Sequence, residues 1–155
     1  MSQLYIDTSA IVKRYTQETG SNWLKTFLHP NNNHSPIISE ITLPEFAAAI
    51  ASKGRAGSIN SFEQTNTLAL FLSHCKLEYE LVGVSRTIID RAVGLTQKYR
   101  LRGYDAVQLA TALVTKEALI AANFLKNFTL ITADQDLLNA GSLEGLSTEN
   151  PNLHP

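Results

Sequence analysis

Residues 101–114 read LRGYDAVQLATALV, and this stretch decides the fold. The surface of this helix is almost wholly apolar apart from one carboxylate, Asp105, at its leading end. A helix that is apolar on all sides is buried, here against a sheet. Asp105 then lies on the rim of a core, near a helix N-terminus, instead of in open water. The helix is expected to run to about Lys116. Residues 117–126 fit helix or loop equally well.

Working outward, short apolar runs alternate with helical patterns. Leu4-Tyr5-Ile6 reads as a first strand ending at Asp7, followed by a short helix over 8–15 and a second from Thr19. Residues 29–36 (HPNNNHSP) have loop composition. Ile37-Ile38 is a second strand, leading into a helix to about Lys53, where Gly54 and Gly57 break it. Ser58 or Ser61 caps the next helix, with Phe62, Thr65, Ala69 and Leu72 on one face. Residues 79–84 form a third strand, and Ser85 caps a helix carrying Ile88, Ile89, Ala92, Val93 and Leu95. Residues 128–132 form a fourth strand, and a fifth edge strand lies around Leu146. This alternation predicts an α/β fold: a three-layer α/β/α sandwich with a central, mainly parallel sheet of four to five strands.

The bulk properties limit the function classes. The 155 residues are 44% hydrophobic and 17% charged, with a net charge of −1. They suit one domain, 1–155, that buries about 68–70% of its unfolded surface. No bulk basicity advertises nucleic acid, so an anionic partner must be attracted by locally placed Lys and Arg or by metal ions. The lone Cys75 excludes an internal disulfide, and no Cys/His spacing suits zinc. No secretory leader or membrane-length apolar run is visible, and the expected setting is cytoplasmic.

Ligands of parallel α/β sheets bind beyond the C-terminal strand ends, and Asp7 and Asp134 fall at two such ends. Each has an ordinary reading as a helix N-cap. Glu45 fits a capping box over Thr42–Glu45 with Pro44 in the first turn, or the second turn of a helix starting at Ser39. Asp105 suits the positive end of its helix dipole. Together the four carboxylates face one sheet edge, where two unit charges 4 Å apart repel by roughly 4 kcal/mol at an effective dielectric of 20. Such a cluster calls for a cation or raised pKa values. An all-oxygen donor set points to Mg²⁺, with Mn²⁺ as a substitute.

Four segments carry a family resemblance along the whole chain: Asp7-Thr8-Ser9-Ala10, Glu45 in its helix, Tyr104-Asp105-Ala106-Val107-Gln108-Leu109-Ala110, and Thr132-Ala133-Asp134-Gln135-Asp136-Leu137-Leu138. In this order, on alternating strands and helices, they resemble PIN-domain ribonucleases, most of all the VapC-type toxins of bacterial toxin–antitoxin pairs. The resemblance implies that Asp7, Glu45, Asp105 and Asp134 form a Mg²⁺-binding catalytic pocket that cleaves RNA phosphodiester bonds with metal-activated water. Ser9 and Thr132 match hydroxyl positions that support the carboxylates, and Asp136 is a further supporting acid. The same resemblance implies a homodimer and a small VapB-like antitoxin that places an Arg or Lys in the acid cluster.

An RNA substrate needs a basic rim. The candidates are Arg100 and Arg102 ahead of Asp105, and Lys13 and Arg14 behind Asp7. Three other readings compete: a PIN nuclease of RNA processing outside any toxin pair, a catalytically silent PIN binding module, and an aspartyl phosphatase of the haloacid-dehalogenase type. The last needs an aspartate two residues after Asp7, where Ser9 stands. His29, His34, His74 and His154 show no grouping and read as surface residues.

Overall fold

The computed structural model describes residues 1–155. Five strands, β1 (Ser2–Ile6), β2 (Ser35–Ser39), β3 (Glu80–Val82), β4 (Asn127–Ile131) and β5 (Ser147–Glu149), form one sheet in the order β3-β2-β1-β4-β5. Every pairing is parallel. The seven helices are α1 (Thr8–Ile11), α2 (Ser21–Phe27), α3 (Thr42–Arg55), α4 (Ser61–Leu77), α5 (Arg86–Lys98), α6 (Gly103–Ala121) and α7 (Gln135–Leu143).

Strand residues alternate between two cores, as the period of two demands. Leu4, Ile6, Ile38 and Ile131 pack with residues of α1 to α4, including Phe46, Ile50 and Phe71. Tyr5, Ile37 and Leu130 pack on the other face with α5, α6 and α7. Helix α6 starts at Gly103 within the 101–114 stretch, and its body is buried as its composition requires, with Ala106, Leu109, Ala110 and Ala112 fully shielded. It continues to Ala121, so the open segment 117–126 is helix over its first half and turn and loop beyond. No helix is long and apolar enough to cross a membrane.

Several local expectations are corrected. Ser35 and Pro36 belong to β2, paired with Gln3 and Leu4, and are not loop. Helix α3 starts at Thr42 with Ile41 as an N-cap that makes no side-chain bond, so the Thr42 capping box does not form. Asn60, rather than Ser58 or Ser61, caps α4 through a reciprocal box with Glu63. The face of α4 that carries Phe62, Thr65, Ala69 and Leu72 points outward, with Phe62 74% exposed, while Phe71 and Cys75 enter the core. Phe71 stacks on Phe46 with ring centroids 3.8 Å apart, and this α3–α4 contact sets the rotation of α4.

His74 is half-buried rather than a free surface residue, and belongs to a polar ring. Arg14 donates to the Tyr79 hydroxyl, which lies 2.5 Å from the Tyr15 hydroxyl. Tyr15 reaches His74 Nδ1 at 2.7 Å, and Arg14 closes the ring on Glu78 at 2.7 Å. The ring ties the end of α4 to the segment that follows α1.

This packing gives a direct contrast. Phe71→Ala should cost about 3–5 kcal/mol of unfolding free energy in urea. Phe62→Ala should stay within about 0.5 kcal/mol. Equal losses would contradict the placement of α4.

Candidate active site

The strand order reverses direction beside β1. Connections run outward from β1 to β2 and β3, then return to β4 on its other side and on to β5. The crevice between the C-terminal ends of β1 and β4 is therefore the topological switch point, where side chains from separate loops can surround a ligand. Asp7 leaves β1 there, and its backbone amide still pairs with the Ile131 carbonyl of β4 at 3.1 Å. Asp134 follows β4 on the neighbouring side.

Asp7 is 3% exposed and caps α1, accepting from the Ala10 amide at 3.2 Å and from the Ser9 hydroxyl at 2.9 and 3.0 Å. Burial pushes its pKa up to about 7, against the pull of these hydrogen bonds. Ser9 also accepts from the Ala133 amide at 2.9 Å and stands 3.3 Å from the Thr132 hydroxyl, which accepts from the Asp134 amide at 3.1 Å. Two small hydroxyls thus join the β1 and β4 ends beneath the two carboxylates. Asp134 caps α7 with Oδ1 alone, 2.9 Å from the Leu137 amide.

Asp105 occupies the first turn of α6 and is half-buried. Its pKa is raised by burial first, then by the charges of Asp134 and Glu45, which places all three acids within electrostatic reach. A cleft of about 420 Å³ is lined by Asp105, Asp134, Asp136, Arg100 and Arg102. Glu45, from α3, accepts from the Thr8 hydroxyl at 2.9 Å and from Gln108 Nε2 at 2.8 Å, both at Oε1. No three carboxylates are drawn to one point at the spacing of a single ion's coordination shell. Bare carboxylates facing one another repel, so spreading around the crevice is their expected arrangement.

The remaining sequence candidates divide. Arg100 and Arg102 are exposed at the cleft, Arg100 lying 4.0 Å from Asp136. Lys13 is buried at 7% exposure with its ammonium 3.8 Å from Glu18, and Arg14 is consumed by Tyr79 and Glu78. Neither is held out to a phosphate: burial of the segment after α1 withdraws them from the rim. Three residues around Glu45 had no assigned role at the site: Thr8, Gln108 and Thr42, of which only Thr42 was given a part, in a capping box. A single amide in an otherwise apolar helix was the available signal for Gln108.

The family model described as PIN domain matches residues 4–143. The chain belongs to the PIN-domain family. Curated relatives of this PIN domain include Ribonuclease VapC46 of Mycobacterium tuberculosis, 31% identical over 112 residues, covering 72% of this chain and 75% of that protein. Ribonuclease VapC45 of the same species is 30% identical over 120 residues, covering 73% and 76%. Among solved structures, a toxin–antitoxin complex from Klebsiella pneumoniae aligns with TM-score 0.60 and 21% identity over 96% of this chain and 97% of that one. VapBC2 from Rickettsia felis, bound to a DNA fragment from their promoter, aligns with TM-score 0.60 and 18% identity over 96% and 98%. These structural likenesses establish the PIN-like fold.

The raised pKa of Asp7 predicts a pH dependence for the metal-free protein. A carboxyl that titrates near 7 when folded and near its ordinary 3.8 when unfolded binds its proton more tightly in the folded state. Its contribution is most favourable below about pH 4 and is lost as pH rises to about 7, by at most about 4 kcal/mol. Asp7→Asn should remove this slope and stabilise the metal-free protein at pH 8, read by urea unfolding across pH. A variant less stable than wild type at pH 8 would contradict the burial argument.

Proposed function

We propose that this PIN domain is a divalent-metal-dependent endoribonuclease, the toxin of a toxin–antitoxin pair. The observation that supports the reading is the raised pKa of Asp105, which responds to the charges of Asp134 and Glu45, beside buried Asp7 at the adjoining β1 end. The donor chemistry fits Mg²⁺ or Mn²⁺: all oxygen, mostly charged, with Glu45 and Asp134 each bonded through one oxygen and leaving the other uncommitted. The names of the curated relatives, both VapC ribonucleases, support the same chemistry. The four acids would hold the ion. Bound there, it supplies a lowered pKa for water and neutralises charge on the scissile phosphate.

The protein's own part is placement. Ser9, Thr132 and the caps of α1 and α7 fix two carboxylates at the strand ends. Exposed Arg100 and Arg102 would offer guanidinium groups to the phosphates flanking the cleaved bond, with Arg100 4.0 Å from Asp136 at the cleft rim. Beside them an apolar groove between α5 and α6, lined by Ile89, Val93, Tyr104 and Val107, suits a second copy of the chain. The solved complexes with antitoxins support a VapB-like partner whose cationic side chain would occupy the acid cluster. A cytoplasmic setting goes with this reading.

Purified protein with Mg²⁺ should cut RNA endonucleolytically, and Asp105→Asn should lower kcat by about 100-fold or more while remaining folded. Full activity of that variant would remove Asp105 from the site. Light scattering of the same preparation should give a dimer; a monomer at micromolar concentration would exclude the self-contact. A short neighbouring reading frame whose product blocks cleavage would support the toxin role. Without such an inhibitor the activity is that of a PIN nuclease outside a toxin pair.

A further inference from the structure

Helix α6 carries one primary amide deep in the core, Gln108, at 1% exposure. Its nitrogen lies 2.8 Å from Glu45 Oε1, 3.0 Å from Thr42 Oγ1 and 3.2 Å from Thr8 Oγ1. Its oxygen accepts from the Tyr5 hydroxyl at 2.7 Å, and Tyr5 is itself fully buried on central strand β1. Chemistry fixes which end of the amide is which. A carboxylate only accepts, so the nitrogen must face Glu45, and the oxygen is left to Tyr5. Thr8 spends its single hydroxyl hydrogen on Glu45 Oε1, so towards Gln108 it acts as an acceptor.

The result is a lopsided carboxylate. Oε1 of Glu45 receives two donors, from Thr8 and Gln108, whereas Oε2 has no hydrogen-bond or ion-pair partner within the protein. Side chains from α1 and α6 thereby fix the rotation of a flexible glutamate on α3. A glutamate otherwise loses rotamer freedom when it is immobilised by a ligand, which opposes binding. Here folding of the core has already immobilised it.

We propose that Gln108, itself oriented by Tyr5, is a positioning residue: it locks Glu45 through Oε1 so that Oε2 is the atom presented to the divalent cation. The inference rests on the four-carboxylate reading and deepens it. Gln108 touches neither cation nor substrate, and acts through Glu45. Outer partners of ligating carboxylates commonly contribute 10–100-fold to metal affinity or activity.

The test uses Mn²⁺ as probe in isothermal titration calorimetry, beside RNA cleavage kinetics and metal-free melting. Gln108→Met keeps length and volume but cannot donate. It should raise the Mn²⁺ Kd by about 10–100-fold and lower kcat similarly, with KM for RNA within about twofold. Tyr5→Phe should shift both in the same direction by less, and adding it to Gln108→Met should produce no further change in Kd. If Gln108→Met fails to fold, Tyr5→Phe alone carries the test. Folded variants with Kd and kcat within about twofold of wild type would overturn the proposal, whatever their melting temperatures, because a purely structural glutamine alters melting alone. If wild type binds Mn²⁺ and Asp105→Asn is inactive while these variants behave as wild type, only the role of Gln108 falls. If wild type binds no Mn²⁺ and Asp105→Asn cleaves normally, both readings fall.

Discussion

The carboxylate of Asp7 is held almost wholly out of water at the end of the central strand, and the surrounding structure is arranged around that constraint. Burying an ion without partners is costly, so the group must be hydrogen-bonded, protonated or paired with a cation. The protein uses the first of these in part: Ser9 and the Ala10 amide bind the carboxylate, yet burial still raises its pKa. Because β1 is flanked by β2 and β4, the position of Asp7 is fixed from both sides. The strand reversal then leaves a crevice beside it, and Asp105 from α6 and Asp134 from the β4–α7 loop line the adjoining cleft.

Hydroxyls and an amide form the layer beneath these acids. Ser9 links β1 to the loop after β4, while Thr8 and Gln108 hold Glu45. Each of these groups has both donor and acceptor capacity, so a compact set can satisfy several carboxylate and backbone atoms at once. The apolar body of α6 serves the same end: packed against the sheet, it fixes Asp105 in its first turn and Gln108 one turn further on. A site on rigid elements of this kind is held more closely than one on loops.

Much of this was legible in the sequence, for identifiable reasons. Short apolar runs ending in Asp7 and Asp134 marked the strand ends, and the Asp105 helix announced its burial through an apolar surface on all sides. The α/β order was therefore readable from period and punctuation. The orientation of α4 was not, because apolar residues lie on both its faces and only the stacking of Phe71 on Phe46 selects one. The basic rim was half legible: Arg100 and Arg102 stand exposed at the cleft, but Lys13 and Arg14 are claimed by Glu18, Glu78 and Tyr79, partners distant in sequence for Arg14. The support of Glu45 was hidden for the same reason, since Tyr5, Thr8, Thr42 and Gln108 meet only after the sheet and both helix layers have formed.

Four carboxylates from four separate segments are proposed to make one cation site. Anomalous X-ray diffraction from crystals soaked in Mn²⁺ tests it most directly. A manganese peak is expected in the crevice between the β1 and β4 ends, ligated by carboxylate oxygens from the set Asp7, Glu45, Asp105 and Asp134. Crystals that bind manganese elsewhere, with no peak among these four residues, would contradict it.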